Sequence, residues 1–175
     1  MTSTPSSNKI KNISLTALLL TVSLALSYLE FLIPVTAAVP IPGFKPGFAN
    51  IAVVVAYFAV SPLSAAVITV LKSVITSLLF SGVTTLVFSL AGGALAFSAL
   101  LLLTHIKNLK CSYIGLSVAM AFSHNVGQLA ASVAVMGNAS VLWYYPALVV
   151  SAVLCGALTG IILTLLPDRI YIGKV

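Results

Sequence analysis

Long apolar stretches alternate with short polar or proline-containing breaks along the chain. Six apolar stretches follow one another, at about residues 13–33, 48–60, 63–80, 84–105, 113–136 and 141–166. A helix needs about 20 residues to cross a hydrocarbon core ~30 Å thick, and the stretch at 48–60, ended by Ser61 and Pro62, is short for a crossing. The pattern predicts an all-α, polytopic membrane bundle with six transmembrane helices.

The segments between and beyond these stretches set the predicted domain limits. Residues 1–12 are predicted to be a disordered cytoplasmic N-terminus, residues 13–166 the transmembrane domain, and residues 167–175 a cytoplasmic tail. Proline and glycine in residues 34–47 rule out a continuous helix there. We expect an ordered loop or a re-entrant hairpin between the first and second helices.

Composition agrees with a lipid environment. Hydrophobic residues make up 61% of the chain, charged residues only 6%, and the mean hydropathy is +1.21. A water-soluble protein of this size needs several times that charge on its surface. The basic residues lie at the ends of apolar stretches and form no patch with interleaved aromatics, so no nucleic acid is expected as a partner. The two cysteines match no metal or redox spacing.

The distribution of basic residues orients the predicted helices. If six helices cross, one side of the membrane receives Lys9, Lys11, Lys107, Lys110, Arg169 and Lys174, and the other side receives only Lys45. Basic residues concentrate on the cytoplasmic side of membrane proteins. We therefore expect a multi-pass protein of the cell membrane with both termini in the cytoplasm.

Polar side chains interrupt separate predicted segments at one depth, in the outer half of the membrane. The candidate substrate-binding residues are Glu30, Lys45, Asn50, Lys72, Thr76, His124, Asn125 and Gln128. A polar group in hydrocarbon costs free energy unless it finds a partner, and intramembrane charge is usually functional. The residues predict one shared polar cavity, of which the polar face of the fifth helix is a wall.

Purely structural interpretations stay open for each of these residues. His124, Asn125 and Gln128 fit simple interhelical hydrogen bonds about as well as ligand contacts, since such bonds contribute about 0.6 kcal/mol on average. A lysine in mid-membrane costs at least about 2.5 kcal/mol, and the structural alternative for Lys72 is an ion pair with Glu30. Lys45 is also compatible with a simple surface position.

Small residues recur at four-residue spacing on three predicted helices. The stripes are Ala17, Thr21 and Ala25 on the first, Gly92 and Ala96 on the fourth, and Gly156 and Gly160 on the sixth. Such stripes permit close helix approach within a membrane. Most are expected to pack internally, and one of them is a candidate docking face for another membrane protein.

Four segments resemble the Gx transporter family, which is often described as heptaprenyl diphosphate synthase component I. They are LSYLEFLIP (26–34), PGFKPGFANI (42–51), LLFSGVTTLVFSLAGG (78–93) and SHNVGQL (123–129). The family is similar in size and layout to the substrate-binding S components of energy-coupling-factor vitamin transporters. The resemblance implies a six-helix bundle whose ligand site opens outward beneath the loop after the first helix.

The same resemblance implies a partner. In such transporters the small-residue stripe of the first helix, here Ala17, Thr21 and Ala25, contacts a transmembrane coupling subunit that works with ATPase subunits. One position departs from the family, because Lys72 stands where arginine is usual. Arginine is a planar donor that can bind an anion through two N–H groups, whereas lysine is a point charge. The substitution therefore changes how an anionic ligand would be held.

Catalysis is not expected from this sequence. A prenyl diphosphate synthase needs clustered aspartates to hold magnesium, because hard cations prefer carboxylate oxygens. The chain has one aspartate, Asp168, on the side opposite to the predicted cavity, and it has no Walker motif. We expect no catalytic residue, no metal site and no cofactor.

Three functional hypotheses remain from the sequence. The chain is a solute-binding membrane subunit energised by partner ATPases, or a carrier driven by protons through Glu30 or His124, or a non-transporting assembly subunit. Lys45, Lys72 and His124 suggest an anionic small-molecule solute, and the apolar surroundings suggest that part of it is greasy or aromatic. Flavin, quinone or isoprenoid precursors fit that description.

Overall fold

The computed structural model describes residues 5–32, 47–106 and 111–166 of the chain. These residues form six α-helices: α1 (Pro5–Leu32), α2 (Asn50–Ala59), α3 (Pro62–Thr76), α4 (Val83–His105), α5 (Tyr113–Met136) and α6 (Tyr145–Leu165). A π-helical turn, Ser77–Ser81, extends α3, and a 3-10 helix, Ala139–Tyr144, precedes α6. No strand occurs in the described ranges, and the predicted all-α class is confirmed.

Several sequence predictions fall outside the described residues. They concern Lys45, Lys107, Lys110, Arg169, Lys174, the tail 167–175, and all but the last residue of the proline-rich segment 34–47.

Five of the helical segments are long and apolar enough to cross a membrane. They are Asn8–Leu32, Pro62–Phe80, Val83–His105, Tyr113–Met136 and Ala139–Leu165. The sixth, α2, has only 10 residues, or roughly 15 Å of helix, about half of a hydrocarbon core. The chain is therefore a multi-pass membrane bundle in which α2 supplies a half-length helix.

Local sequence explains where the helices begin and end. Ser61 caps α3 by accepting the Ser64 N–H (3.1 Å), with Pro62 at the first position, where its missing N–H costs nothing. Ser112 caps α5 in the same way. Gly137 ends α5 at a φ of +62°, a left-handed conformation that glycine adopts without strain. α1 begins at Pro5, earlier than the predicted start at Ile13.

Neighbouring contacts fix the helix directions. α1 and α3 are parallel, because Thr16 in the first half of α1 donates to Ser64 near the start of α3 (2.9 Å), and the Phe31 and Phe80 rings stack near the ends of both segments (5.4 Å between centroids). α4 and α6 are antiparallel to α1, and α5 is parallel to it. We call the end where α1 begins the N-terminal end, and the end where α1 finishes the cavity end. α6 finishes at the N-terminal end, so the described chain starts and stops on one side of the bundle.

Glycine brings α4, α5 and α6 into backbone contact. A Cβ atom added to Gly160 would lie 2.4 Å from Ile114 Cα, and one added to Gly156 would lie 2.6 Å from Val118 Cα. A Cβ on Gly127 would lie 2.6 Å from the Ala91 carbonyl oxygen. Without a hydrophobic driving force between helices in lipid, such close approach supplies the packing energy. These three helices form the most tightly packed part of the bundle.

The interior divides into an apolar half and a polar half. An apolar core toward the N-terminal end is built from Val53, Val54, Ala56, Ala65, Ile68, Ala96, Leu100, Leu116, Met120 and Leu163. Buried polar side chains collect farther along the bundle, toward the cavity end. Large hydrophobic side chains cover the outer faces of the long helices, an arrangement that lipid favours and water does not.

Candidate functional site

A small cavity in the polar half of the bundle lies where five helices or their ends meet. Its volume is about 30 Å³, room for a few water molecules or a small group. The lining residues are Ser27 and Glu30 of α1; Gly47, Ala49 and Asn50 at the start of α2; Lys72, Ser73 and Thr76 of α3; Ser89 of α4; and His124 of α5. Eight of these ten residues have side chains that can form hydrogen bonds.

The start of α2 forms part of the wall of this cavity. Gly47 has a φ of +87°, which a side chain would strain, and its carbonyl accepts the Asn50 N–H (2.9 Å) to close a turn into the helix. The first N–H groups of a helix have no partner inside it. Because α2 starts inside the bundle, those groups must find partners among buried side chains.

Glu30 satisfies one of these N–H groups. Its Oε1 atom accepts the backbone N–H of Ala49 at 3.1 Å, and the residue is 6% exposed. Ser23 of α1 donates to the Ala49 carbonyl (3.1 Å). A carboxylate at a helix N-terminus is stabilised by the partial positive charge of the helix dipole. α1 therefore holds the start of α2 through both backbone groups of Ala49.

Lys72 binds the next residue of the same turn. Its Nζ atom donates to Asn50 Oδ1 at 2.5 Å, and Lys72 is 7% exposed. One helical turn on, the Thr76 hydroxyl donates to the Lys72 carbonyl (2.8 Å), which leaves the hydroxyl oxygen at the cavity wall. The acidic and the basic group of the cavity thus bind consecutive residues of α2, Ala49 and Asn50.

His124 and Gln128 occupy the face of α5 that meets α4. A Cβ on Gly92 would lie 2.8 Å from Gln128 Cγ and 3.0 Å from His124 Cε1, so the glycine provides the space for both side chains. His124 lines the main cavity. Gln128 is 7% exposed and packs beside it, but it does not line the cavity.

Asn125 faces the other way, toward α6. Its Nδ2 atom donates to the Leu148 carbonyl (2.9 Å) and to Ser151 Oγ (3.2 Å). It lines a separate cavity of about 10 Å³ that also touches Gly47, Asn50 and His124. This geometry fits the structural interpretation that the sequence left open, an interhelical hydrogen bond.

The structure thus brings five of the eight predicted residues together in the main cavity. They are Glu30, Asn50, Lys72, Thr76 and His124. Lys45 lies outside the described residues. Ser27, Ser73, Ser89 and the Gly47–Ala49 turn were missed as site residues. Their signals were weak, since serine is common in membrane helices, but Ser27 lies one turn before Glu30 on the same face.

The charges of the cavity define what it can accept. Among its described lining residues, Glu30 and Lys72 carry opposite formal charges, and serine, threonine, asparagine and histidine supply neutral polar groups. A group with hydrogen-bonding capacity matches this lining, with an acidic group placed best near Lys72 and a donor placed best near Glu30. No cluster of three or more His, Cys, Asp or Glu that suits a metal ion occurs in the described ranges.

The three small-residue stripes differ in exposure. Gly156 and Gly160 are buried against α5, and Gly92 and Ala96 are buried in the bundle. Ala17, Thr21 and Ala25 are all exposed on the outer face of α1, and the Thr21 hydroxyl bonds back to the Ala17 carbonyl (3.0 Å). Only the α1 stripe among these three leaves a small-residue surface open to another helix.

Comparison with known proteins identifies a family. Residues 19–166 match the family described as heptaprenyl diphosphate synthase component I. The match runs from α1 to the end of α6 and includes the whole described cavity. No curated protein and no solved structure matches the chain.

Proposed function

The chain belongs to the heptaprenyl diphosphate synthase component I family, and we propose that it is a solute-binding membrane subunit of an importer. In this proposal a small-molecule solute, a vitamin or cofactor precursor, places one polar group in the cavity between α1, α2, α3, α4 and α5, since about 30 Å³ holds a group and not a whole solute. A coupling subunit with ATPase subunits supplies the energy, as in energy-coupling-factor transporters. The observation that carries the proposal is the convergence of polar groups from separate helices on one buried cavity.

The position of the apolar core supports a site open to one side only. Toward the N-terminal end, Ile68, Leu100 and Leu163 are fully buried and fill the interior below the cavity. A binding subunit that hands its solute to a partner needs a closed floor, whereas a self-sufficient proton-coupled carrier needs polar groups through the bundle. With the predicted orientation, the N-terminal end is cytoplasmic and the cavity faces outward.

The exposed stripe on α1 supports a partner in the membrane. Ala17, Thr21 and Ala25 present a small-residue surface on which another helix can approach closely. Thr21 satisfies its own hydroxyl by bonding to Ala17, so the surface is stable in lipid before the partner binds. We propose this face as the contact with the coupling subunit.

The solute class follows from the charges at the cavity. Lys72 and His124 favour an acidic group, while Glu30 requires a donor or a neutral group near the start of α2. A polar, partly aromatic solute with one acidic group satisfies both. The proposed role is binding and not catalysis, which is compatible with a family named as a component of a synthase.

A non-transporting assembly subunit is the second candidate. The observation that favours it is the bonding of Glu30 and Lys72 to Ala49 and Asn50, because these contacts hold α2 in place without any solute. In that case the polar cluster fixes helix register and the cavity holds water. The family description is compatible with this role as well.

Identification of a bound molecule tests the proposal directly. The protein is purified in mild detergent and denatured, and the released small molecules are identified by mass spectrometry. We expect one compound at near-stoichiometric yield from the unmodified chain, and its loss from Lys72→Ala in the fraction of that variant that inserts in the membrane and elutes as folded protein. Ser98→Ala is the matched control, because the Ser98 hydroxyl is exposed on α4 and bonds its own helix. Equal yields from Lys72→Ala and Ser98→Ala would remove Lys72 from the site.

A further inference from the structure

A third pocket lies beneath the start of α2, between α2, α5 and α6. Its volume is about 10 Å³, and its lining is Gly47, Asn50, Val54, Ser117, Met120, Ala121 and Thr159. Ser117 precedes His124 by two helical turns, which places it roughly 10 Å nearer to the N-terminal end. Val54 and Met120 belong to the apolar core, so this pocket marks the border between the polar and the apolar half.

Ser117 is the unusual member of this lining. It is 4% exposed, and no hydrogen-bond partner lies within reach of its Oγ atom among the described residues. Serine and threonine in membrane helices commonly bond back to the carbonyl one turn earlier, as Thr69, Ser73 and Ser132 do here. A buried hydroxyl without a partner loses the hydrogen bonds that it makes in water, and a bound water molecule would restore them.

The pocket meets the requirements for binding water. About 10–15 Å³ of free volume is the minimum for one water molecule, which also needs two to four polar partners, and the pocket reaches the lower end of that range. Ser117, Thr159 and the Asn50 side chain line it, and Thr159 is 5% exposed. An apolar pocket of this size would stay dry, but three polar side chains make hydration favourable.

We propose that Ser117 and Thr159 bind an internal water molecule that extends the polar region beyond His124, beneath the start of α2. This pocket shares a wall with the cavity that His124 and Asn125 line. The shared wall is the Gly47–Asn50 turn, because Gly47 and Asn50 line both. The hydrated region ends here, because Val54 and Met120 close the pocket on the core side. The proposal is independent of solute binding in the main cavity.

Oxidation of Met120 reports whether water is present in this pocket, because Met120 lines it. Hydroxyl radicals made by X-ray radiolysis form where water is present, and they oxidise a neighbouring methionine thioether to the sulfoxide. Met120 lines the pocket but is only 2% exposed, whereas Met136 is 46% exposed at the end of α5. In the full-length chain in lipid nanodiscs, we expect millisecond radiolysis to oxidise both residues, as measured by peptide mass spectrometry.

Two variants test whether the hydroxyls hold the water. Thr159→Val keeps the side-chain shape and Ser117→Ala removes only the oxygen, so either variant alone is sufficient if the other fails to fold. We expect loss of Met120 oxidation in each variant with unchanged Met136 oxidation, and no change at either residue in the Ser98→Ala control. An unoxidised Met120 in the unmodified chain would overturn the proposal. So would equal Met120 oxidation in the unmodified chain and in both variants.

Discussion

Removing the charge of Glu30 or Lys72 separately is expected to destabilise the bundle more than removing both. Glu30 is 6% and Lys72 7% exposed, and they bind the consecutive residues Ala49 and Asn50 at the start of α2. Glu30→Gln keeps an oxygen that can accept the Ala49 N–H but removes the negative charge. Lys72→Met keeps most of the alkyl chain and removes the positive charge. Each single replacement leaves the described lining of the cavity with one formal charge instead of two opposite ones.

The expected size follows from the burial of both groups. Breaking a buried pair of charges by removing one partner costs about 3–5 kcal/mol, whereas replacing both by neutral groups of similar volume is often neutral or stabilising. For proteins of 150–250 residues, 1 kcal/mol corresponds to about 2–4 °C in Tm. Each single variant is therefore expected to lower Tm by roughly 6–20 °C, and the double variant by clearly less than either.

Thermal unfolding in one detergent measures this double-mutant cycle. The four proteins are heated and the folded fraction is followed by size-exclusion chromatography. Lys11→Met serves as the control, because Lys11 is exposed near the start of α1 and its charge is expected to contribute almost nothing. Additive losses, with the double variant as unstable as the two singles combined, would contradict the argument that the two charges compensate each other.

Three further predictions concern the rest of the bundle. Gly160→Ala should destabilise the protein by about 1–3 kcal/mol, because its Cβ would lie 2.4 Å from the α5 backbone; Gly115→Ala, whose Cβ meets only side-chain ends at 3.2 and 3.5 Å, should not lower Tm. Asn125→Leu should cost roughly 0.6–1.7 kcal/mol of stability through the lost bonds to α6, while leaving solute yield unchanged; a lost solute would instead make Asn125 a ligand contact. Trp143 is the single tryptophan and is 86% exposed, and it should lie at the membrane–water interface. Its fluorescence in liposomes should be quenched more by lipids brominated near the headgroup than by lipids brominated deep in the acyl chains. The reverse order would refute this placement.

Much of the helix pattern could be predicted because its ends carry local signals. The predicted stretch 113–136 is α5, since Ser112 caps its start and Gly137 ends it. The short length of α2 was visible in the stretch 48–60, although the sequence counted that stretch among six transmembrane helices. The π-helical end of α3 and the 3-10 start of α6 had no such signal. These irregular turns depend on packing at the cavity end and not on periodicity.

The common level of several polar residues along the bundle could be predicted, but their direction around each helix could not. Periodicity places His124 and Gln128 on one face of α5 and Asn125 about 100° away. The rotation of α5 about its axis is set by two close contacts: Gly127 of α5 packs against α4, and Gly156 of α6 packs against α5. That rotation turns His124 toward the main cavity and Asn125 toward α6. A sequence without spatial information assigns all three to one site.

The half-length of α2 separates the polar groups that the fold requires from those that it does not. A helix that starts inside a membrane bundle must have its first N–H groups satisfied, and Glu30, Asn50 and Lys72 surround that start. These three residues would be needed even in a protein that binds nothing. Ser27, Ser89 and His124 form a second set, which lines the same cavity from α1, α4 and α5. The case for a bound solute therefore depends most on this second set. His124→Leu should reduce solute yield at nearly unchanged Tm, and a large loss of Tm instead would assign His124 to the structural set.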